Sequence, residues 1–253
     1  IQFTGHVLHE DSLMNQTVPN GSLMRFYEYM GYPGVDVLTE HNRCYWIVKQ
    51  LASAARQLDK KWLLSELYGC TGWQFDFKAH KAVGDWQALF GINLRCQHLS
   101  WYTMEGESKR DYPASISYQS PWYKEYRYVE DHFGRVNTAL TRGKPCVKVA
   151  VVHPVESYWL HWGPNEQTAL IRDKLDGNFQ SVTDWLLRGN IDFDYICEST
   201  FPVQCPAGGA PLTVGEMAYD VVVVPECETL RSTTLDRLEA FHAAGGKLVF
   251  MGD

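Results

Sequence analysis

Short apolar runs alternate with stretches of helical spacing along this chain, and that alternation leaves few folds open. Phe3 to Leu8 reads as a strand ending in His9-Glu10-Asp11, and Ser22 to Met30 as a helix stopped by Pro33-Gly34. Val35 to Leu38 is a second strand with Thr39-Glu40-His41-Asn42 at its tip. Apolar positions at Cys44, Val48, Leu51, Ala52, Ala55 and Leu58 then recur at three and four, which predicts a helix. Leu63 to Glu66 is a third strand, the stretch around Asp85 to Phe90 a third helix, and Ile92 to Cys96 a fourth strand. Parallel strands need long crossovers, so four strand-then-helix units predict a parallel sheet or barrel.

Met104 to Pro121 is polar and rich in turn residues, which predicts a long surface loop over the strand tips; loops of that length are usually functional. Helical spacing returns from Trp122 to Leu140, and Arg142-Gly143-Lys144-Pro145 ends it. A second α/β unit follows, with strands at Val147 to Val152, Phe193 to Ile196, Tyr219 to Pro225 and Lys247 to Met251. Its helices run from Thr168 to Leu187 and from Ser232 to Ala244. The expected domains are 1–143 and 144–253. The chain opens at Ile1 rather than at a methionine, and no helix follows its last strand, so it reads as a fragment cut at both ends.

A formal net charge of -7 argues against general attraction to nucleic acid or to an anionic membrane surface and suits a neutral ligand. Nine Trp, fourteen Tyr and eleven Phe suit stacking on sugar faces and equally suit large cores. The seven cysteines are odd in number and scattered, without the close pairs of a zinc site. They read as small buried hydrophobes in a reducing, cytoplasmic compartment. No apolar run is long enough to span a bilayer, and no leader opens the chain.

Chemistry concentrates at the C-terminal tips of strands in parallel α/β folds. Glu66 ends the run Trp62-Leu63-Leu64-Ser65 before Gly69 and Thr71-Gly72-Trp73 turn the chain, and the run from Gly91 ends in His98-Leu99-Ser100-Trp101-Tyr102. Glu66 is therefore the principal candidate; the bland alternative is a carboxylate capping the following turn. The stretches Thr4-Gly5-His6-Val7-Leu8-His9-Glu10, Pro33-Gly34-Val35-Asp36, Leu64-Ser65-Glu66-Leu67-Tyr68-Gly69 and Gly91-Ile92-Asn93 with His98 resemble the α-L-rhamnosidase-type family of glycosyl hydrolases. The order of parts resembles the trimerising β-galactosidases, in which a barrel leads into a flavodoxin-like or glutamine-amidotransferase-like domain.

That resemblance implies the C-terminal half of a (β/α)8 TIM barrel, strands five to eight, followed by an incomplete flavodoxin-like (amidotransferase-like) domain. It implies a glycoside hydrolase with Glu66 on strand seven as base or nucleophile, and a general acid on strand four that this chain lacks. His6, Glu10, His41, Trp73, Asn93, His98, Trp101 and Tyr102 would bind a carbohydrate substrate, and Glu40, with Glu10 as a further candidate, would help hold a calcium ion through hard oxygen ligands. The second domain would be structural or would make subunit contacts in a homo-oligomer. Two other readings stand beside this one: a non-catalytic carbohydrate-binding or assembly module, and an amidotransferase-like enzyme centred on Cys227. The second is disfavoured, because Glu226 and Glu228 flank the thiol where a nucleophile turn needs small residues, and their charge would raise its pKa.

Overall fold

The computed structural model describes residues 1–39, 44–107 and 115–252, which divide into two compact units. The first comprises residues 1–6, 31–44 and 62–144, the second residues 7–30, 45–61 and 145–253. The last changeover, between Lys144 and Pro145, lies one residue from the expected boundary. The segments 7–30 and 45–61, expected in the first domain, cluster instead with the second.

Unit one is built on four parallel strands, β1 (Thr4–Gly5), β2 (Tyr32–Asp36), β3 (Leu64–Leu67) and β4 (Leu94–Gln97), hydrogen-bonded in chain order. An order that advances one strand at a time without reversing fits part of a (β/α)8 barrel and not a doubly wound sheet. β1 is shorter than the run Phe3 to Leu8 suggested. β2 begins three residues earlier than expected and takes in Pro33. The missing N–H of Pro33 costs no ladder bond, because pairing with β3 begins only at Gly34, opposite Leu64. Gly34 is required there: a methyl group at this position would stand 2.7 Å from the carbonyl oxygen of Gly5 on β1.

Helix α4 (Phe77–Leu89) starts where the Asp76 side chain accepts a hydrogen bond from Ala79 N at 2.8 Å, eight residues before the stretch that sequence spacing marked. Its Val83 joins Leu67, Tyr68 and Phe75 in one buried cluster. Helix α5 (Arg127–Leu140) contributes Val129 and the fully buried Phe133 to a second cluster, with Tyr126. Arg95 of β4 lies over the Phe133 ring, 3.9 Å from its centroid, and pairs with Glu130 at 2.7 Å.

Unit two holds a second parallel sheet, β5 (Val149–Val152), β6 (Phe193–Ile196), β9 (Val221–Val224) and β10 (Lys247–Phe250), in the order β10-β9-β5-β6. A hairpin of β7 (Leu212–Val214) and β8 (Met217–Tyr219) precedes β9. Three early helices belong to this unit: α1 (Leu13–Thr17), which sequence spacing did not reveal, α2 (Leu23–Tyr29) and α3 (Tyr45–Gln57). The later ones are α6 (Val155–Leu160), α7 (Asn165–Arg188), α8 (Phe201–Gln204) and α9 (Ser232–Ala243).

The placement of α3 has a polar cause. Lys49, fully buried, reaches Asp192 at 2.6 Å, Arg56 reaches Asp194 at 2.8 Å, and Ser53 Oγ accepts from Tyr195 N at 2.8 Å. Gln57 donates to the Tyr195 carbonyl at 2.8 Å, and Glu216 N donates to the carbonyl of Gln57 at 3.1 Å. Gly215 makes that last approach possible, with φ at +55° and no Cβ to collide with the Gln57 carbonyl. Among the described residues no helix is long and apolar enough to cross a membrane.

Gly84 gives a direct test of the packing behind the first sheet. A methyl group there would stand 2.1 Å from Phe133 Cζ, inside a closed cluster. Alanine would improve helix propensity by about 1 kcal/mol, but overpacking a core costs about 1–3 kcal/mol, and the clash here is severe. Gly84→Ala is therefore expected to lower the urea midpoint at unchanged m-value; a raised midpoint would show that Phe133 moves aside freely.

Candidate active site

The burial of β3 alternates. Ser65 and Leu67 are buried, whereas Leu64 and Glu66 are half-buried and point to the other face. Leu67 packs against Val83 of α4, so Glu66 faces away from the helices. Register then gathers its neighbours: Asp36 of β2 and Cys96 of β4 are the residues paired with Glu66 on either side. Residues paired across parallel strands share a face, so one row carries Asp36, Glu66 and Cys96.

Two imidazoles close on the middle of that row. His6, immediately after β1, places Nε2 2.6 Å from Glu66 Oε2, and His98, immediately after β4, places Nε2 3.4 Å from Glu66 Oε1. Each of the four strand ends thus supplies one group, in lateral order His6, Asp36, Glu66, His98. The His98 ring lies against Gly69, where a Cβ would stand 2.9 Å from its Cγ. Past Glu66 the chain turns sharply, with Tyr68 at φ +71° and Cys70 at φ +58°. Left-handed backbone costs a non-glycine residue roughly 1–2 kcal/mol, and such strain collects at functional sites. Hydrogen bonds hold the turn: Tyr68 N donates to the Leu38 carbonyl at 2.7 Å, and Thr71 Oγ1 to the Tyr68 carbonyl at 2.6 Å.

Burial pushes the Asp36 carboxyl above the usual aspartate range. Among its charged neighbours, the Glu66 carboxylate adds to that push, and His6 and His98 oppose it. The Cys96 thiol is pushed up for the same reasons, first by burial and then by Glu66. Nothing local to Pro33-Gly34-Val35-Asp36 marks Asp36 for a role. The signal was its position at the end of β2, a strand whose register with β3 could not be read from either segment alone.

The remaining candidates separate clearly. Trp73 and Trp101 form a tilted pair, ring centroids 5.5 Å apart, with Trp73 44% exposed. Tyr102 is almost fully exposed, and the Trp101 carbonyl accepts from Gln119 Nε2 at 2.6 Å. Asn93 does not join them. It precedes β4, at the end opposite to His98, where its side-chain oxygen accepts from Leu63 N at 2.9 Å and its carbonyl from Asn137 Nδ2 at 3.0 Å. Its amide ties strands and helix together rather than facing the tips. Glu10 belongs to unit two, buried, where its charge acts on the buried Tyr27 hydroxyl.

Glu40 and His41 lie outside the described residues. Among the described residues no three His, Cys, Asp or Glu side chains come together to hold a metal ion. Cys227 fails as a nucleophile: burial, reinforced by Glu198, pushes its thiol up to about 11, and His161 is hydrogen-bonded to Glu228 at 2.7 Å. The charge that adds to burial is that of Glu198, not the expected repulsion from the flanking Glu226 and Glu228.

Four parallel strands in chain order, with a carboxylate and imidazoles at their tips, form a sheet that fits part of a (β/α)8 barrel. Solved structures agree on the fold. The chain is similar to the rhamnosidase from Novosphingobium sp. PP1Y, with a TM-score of 0.63 and 15% identity, over 91% of this chain and 22% of that one. It is also similar to a catalytic mutant of Gan42B, a GH42 β-galactosidase from G. stearothermophilus, with a TM-score of 0.58 and 14% identity over 99% and 36%. For the β-galactosidase from Rahnella sp. R3 the values are 0.57 and 19% over 90% and 34%. The chain thus spans between about a fifth and just over a third of these proteins. No protein-family model matches it, and no curated protein matches it in sequence.

The charge of Glu66 can be read at Cys96 without any substrate. Removing it in Glu66→Gln should lower the thiol pKa and raise the alkylation rate of Cys96 by iodoacetamide at pH 8 by about two- to threefold, since the thiolate is the reactive form. The exposed Cys146 is an internal control. Peptide mass mapping with an unchanged Cys96-to-Cys146 ratio would refute the electrostatic coupling.

Proposed function

We propose that this chain carries half of the catalytic barrel of a glycoside hydrolase, with Glu66 as the base or nucleophile on the strand corresponding to barrel strand seven. The observation that carries this reading is the placement of Glu66: a half-buried carboxylate on the helix-free face at a strand's C-terminal tip, bracketed by His6 and His98. The fold neighbours, titled as a rhamnosidase and as β-galactosidases, support it.

Glycoside hydrolysis requires two carboxyl groups, one to protonate the leaving oxygen and one, ionised, to attack the sugar or activate water. His6 holds Glu66 Oε2 and fixes the plane of the carboxylate, and Oε1, with His98 Nε2 3.4 Å away, is the oxygen that acts. The Trp73 and Trp101 pair supplies an apolar face suited to a sugar ring, with Tyr102 at its margin. The leaving-group acid comes from a part of the barrel beyond these four strands. A rhamnoside or a β-galactoside is the proposed substrate class. Unit two, whose strand order is the flavodoxin-like 2-1-3-4 when its strands are renumbered from β5, serves structure or assembly.

In the longer protein that carries this chain, Glu66→Gln should lower kcat on an aryl rhamnoside or aryl galactoside by roughly 10²- to 10⁴-fold, the usual scale for losing a positioned acid or base. Circular dichroism should be unchanged. Near-normal hydrolysis by a folded variant removes Glu66 from catalysis, and no hydrolysis by the unsubstituted protein on any glycoside favours a carbohydrate-binding module instead.

A further inference from the structure

Asp36 is the one member of the four-tip row that the proposed reaction leaves without a task. It pairs in register with Glu66 on the adjacent strand, it is half-buried, and the charged groups that act on it come from the two neighbouring strands and the one beyond: His6 after β1, Glu66 on β3 and His98 after β4. Cys96, the remaining titratable group in the row, faces Glu66 from the other side.

Asp36 is poorly placed to be the leaving-group acid. The two carboxyls of a glycosidase flank the scissile bond, with the sugar between them. Asp36 and Glu66 instead sit side by side, on strands about 4.8 Å apart, with side chains on one face. A neighbour so close acts on Glu66 itself. Two carboxylates at that spacing repel, and each added proton relieves the repulsion. The imidazoles supply the counter-charge: one protonated histidine balances Glu66 alone, whereas ionised Asp36 calls for a second.

We infer that Asp36 is a positioning residue for Glu66: a second carboxyl group that shares one pool of protons with Glu66, His6 and His98. Burial and the Glu66 carboxylate oppose ionisation of Asp36, and His6 and His98 favour it. Asp36 therefore acts on Glu66 through the imidazoles that approach it, His6 at 2.6 Å and His98 at 3.4 Å. This inference takes its catalytic meaning from the reading of Glu66 proposed above, but its test does not depend on that reading.

The test is a carboxyl- and imidazole-observed NMR titration of the full chain, with Asp36 assigned by the signal lost in Asp36→Asn. The Asp36 ¹³Cγ should titrate above an ordinary aspartate and show a second inflection where His6 and His98 titrate, the behaviour of coupled sites. In Asp36→Asn both imidazole midpoints should fall, by about half a pH unit, because a carboxylate that favoured their charged form is gone. A single Asp36 step in the ordinary carboxylate range, or histidine midpoints unmoved in Asp36→Asn, would overturn the inference. If that variant does not fold, the two-step titration in the unsubstituted chain decides alone, Asp36 then being assigned through its sequential backbone connectivity. In the longer protein, Asp36→Asn should shift the pH profile of kcat/KM and Asp36→Glu should restore it, which a purely structural aspartate would not do.

Discussion

The register of one parallel sheet decides what this chain can do. Asp36, Glu66 and Cys96 stand in line only because Gly34 pairs with Leu64 and Leu64 with Leu94. A slip of one residue in β3 would turn Glu66 toward the helices and put Ser65 in its place. Three kinds of contact prevent that slip. Leu67 and Val83 are locked in an apolar cluster on the outer face, the Asn93 side chain holds Leu63 N, and the Leu67 carbonyl accepts from His98 N at 2.7 Å. The last of these also fixes His98, so one backbone bond serves both the register and the imidazole that approaches Glu66.

Much of this architecture was legible in the sequence, and the limits are instructive. The helix from Tyr45 to Gln57 was visible because its apolar positions recur at three and four. Its membership was not. Unit two claims it through Lys49, Ser53, Arg56 and Gln57, polar residues that a periodicity argument assigns to solvent. Their partners, Asp192, Asp194 and Tyr195, lie some 140 positions away, and no local pattern announces such a pairing. Removing one partner from a buried charged network leaves the other uncompensated, so these contacts fix where α3 packs even where they add little net stability.

Glu66 was legible for a different reason: a strand end followed by glycines is a local signature. Asp36 was not, because its significance is a lateral relation between strands. Asn93 misled because a polar residue near an apolar run suggests a rim position, when it precedes the strand and spends its amide on backbone. Histidines divide on the same ground. His153 is buried, with Nε2 on Gln50 at 2.8 Å between the Phe179 and Tyr195 rings, and burial pulls it down to about 3. It stays neutral at any ordinary pH and serves packing. His6 and His98 instead meet a carboxylate at a strand tip.

The same geometry bears on where the second catalytic group must be. On the proposed reading, retention requires carboxyl groups about 5–5.5 Å apart across the sugar and inversion about 6.5–9.5 Å. Asp36 meets neither condition, since adjacent strands place it beside Glu66 rather than opposite. In a closed barrel, the strands that face β3 across the interior are separated from it by roughly half the circumference, and a tip residue there looks back at Glu66 over a space that a sugar ring can fill. The acid is thus expected from the complementary half of the barrel, and the β2–β3 edge is left to regulate the charge of the carboxylate it already holds.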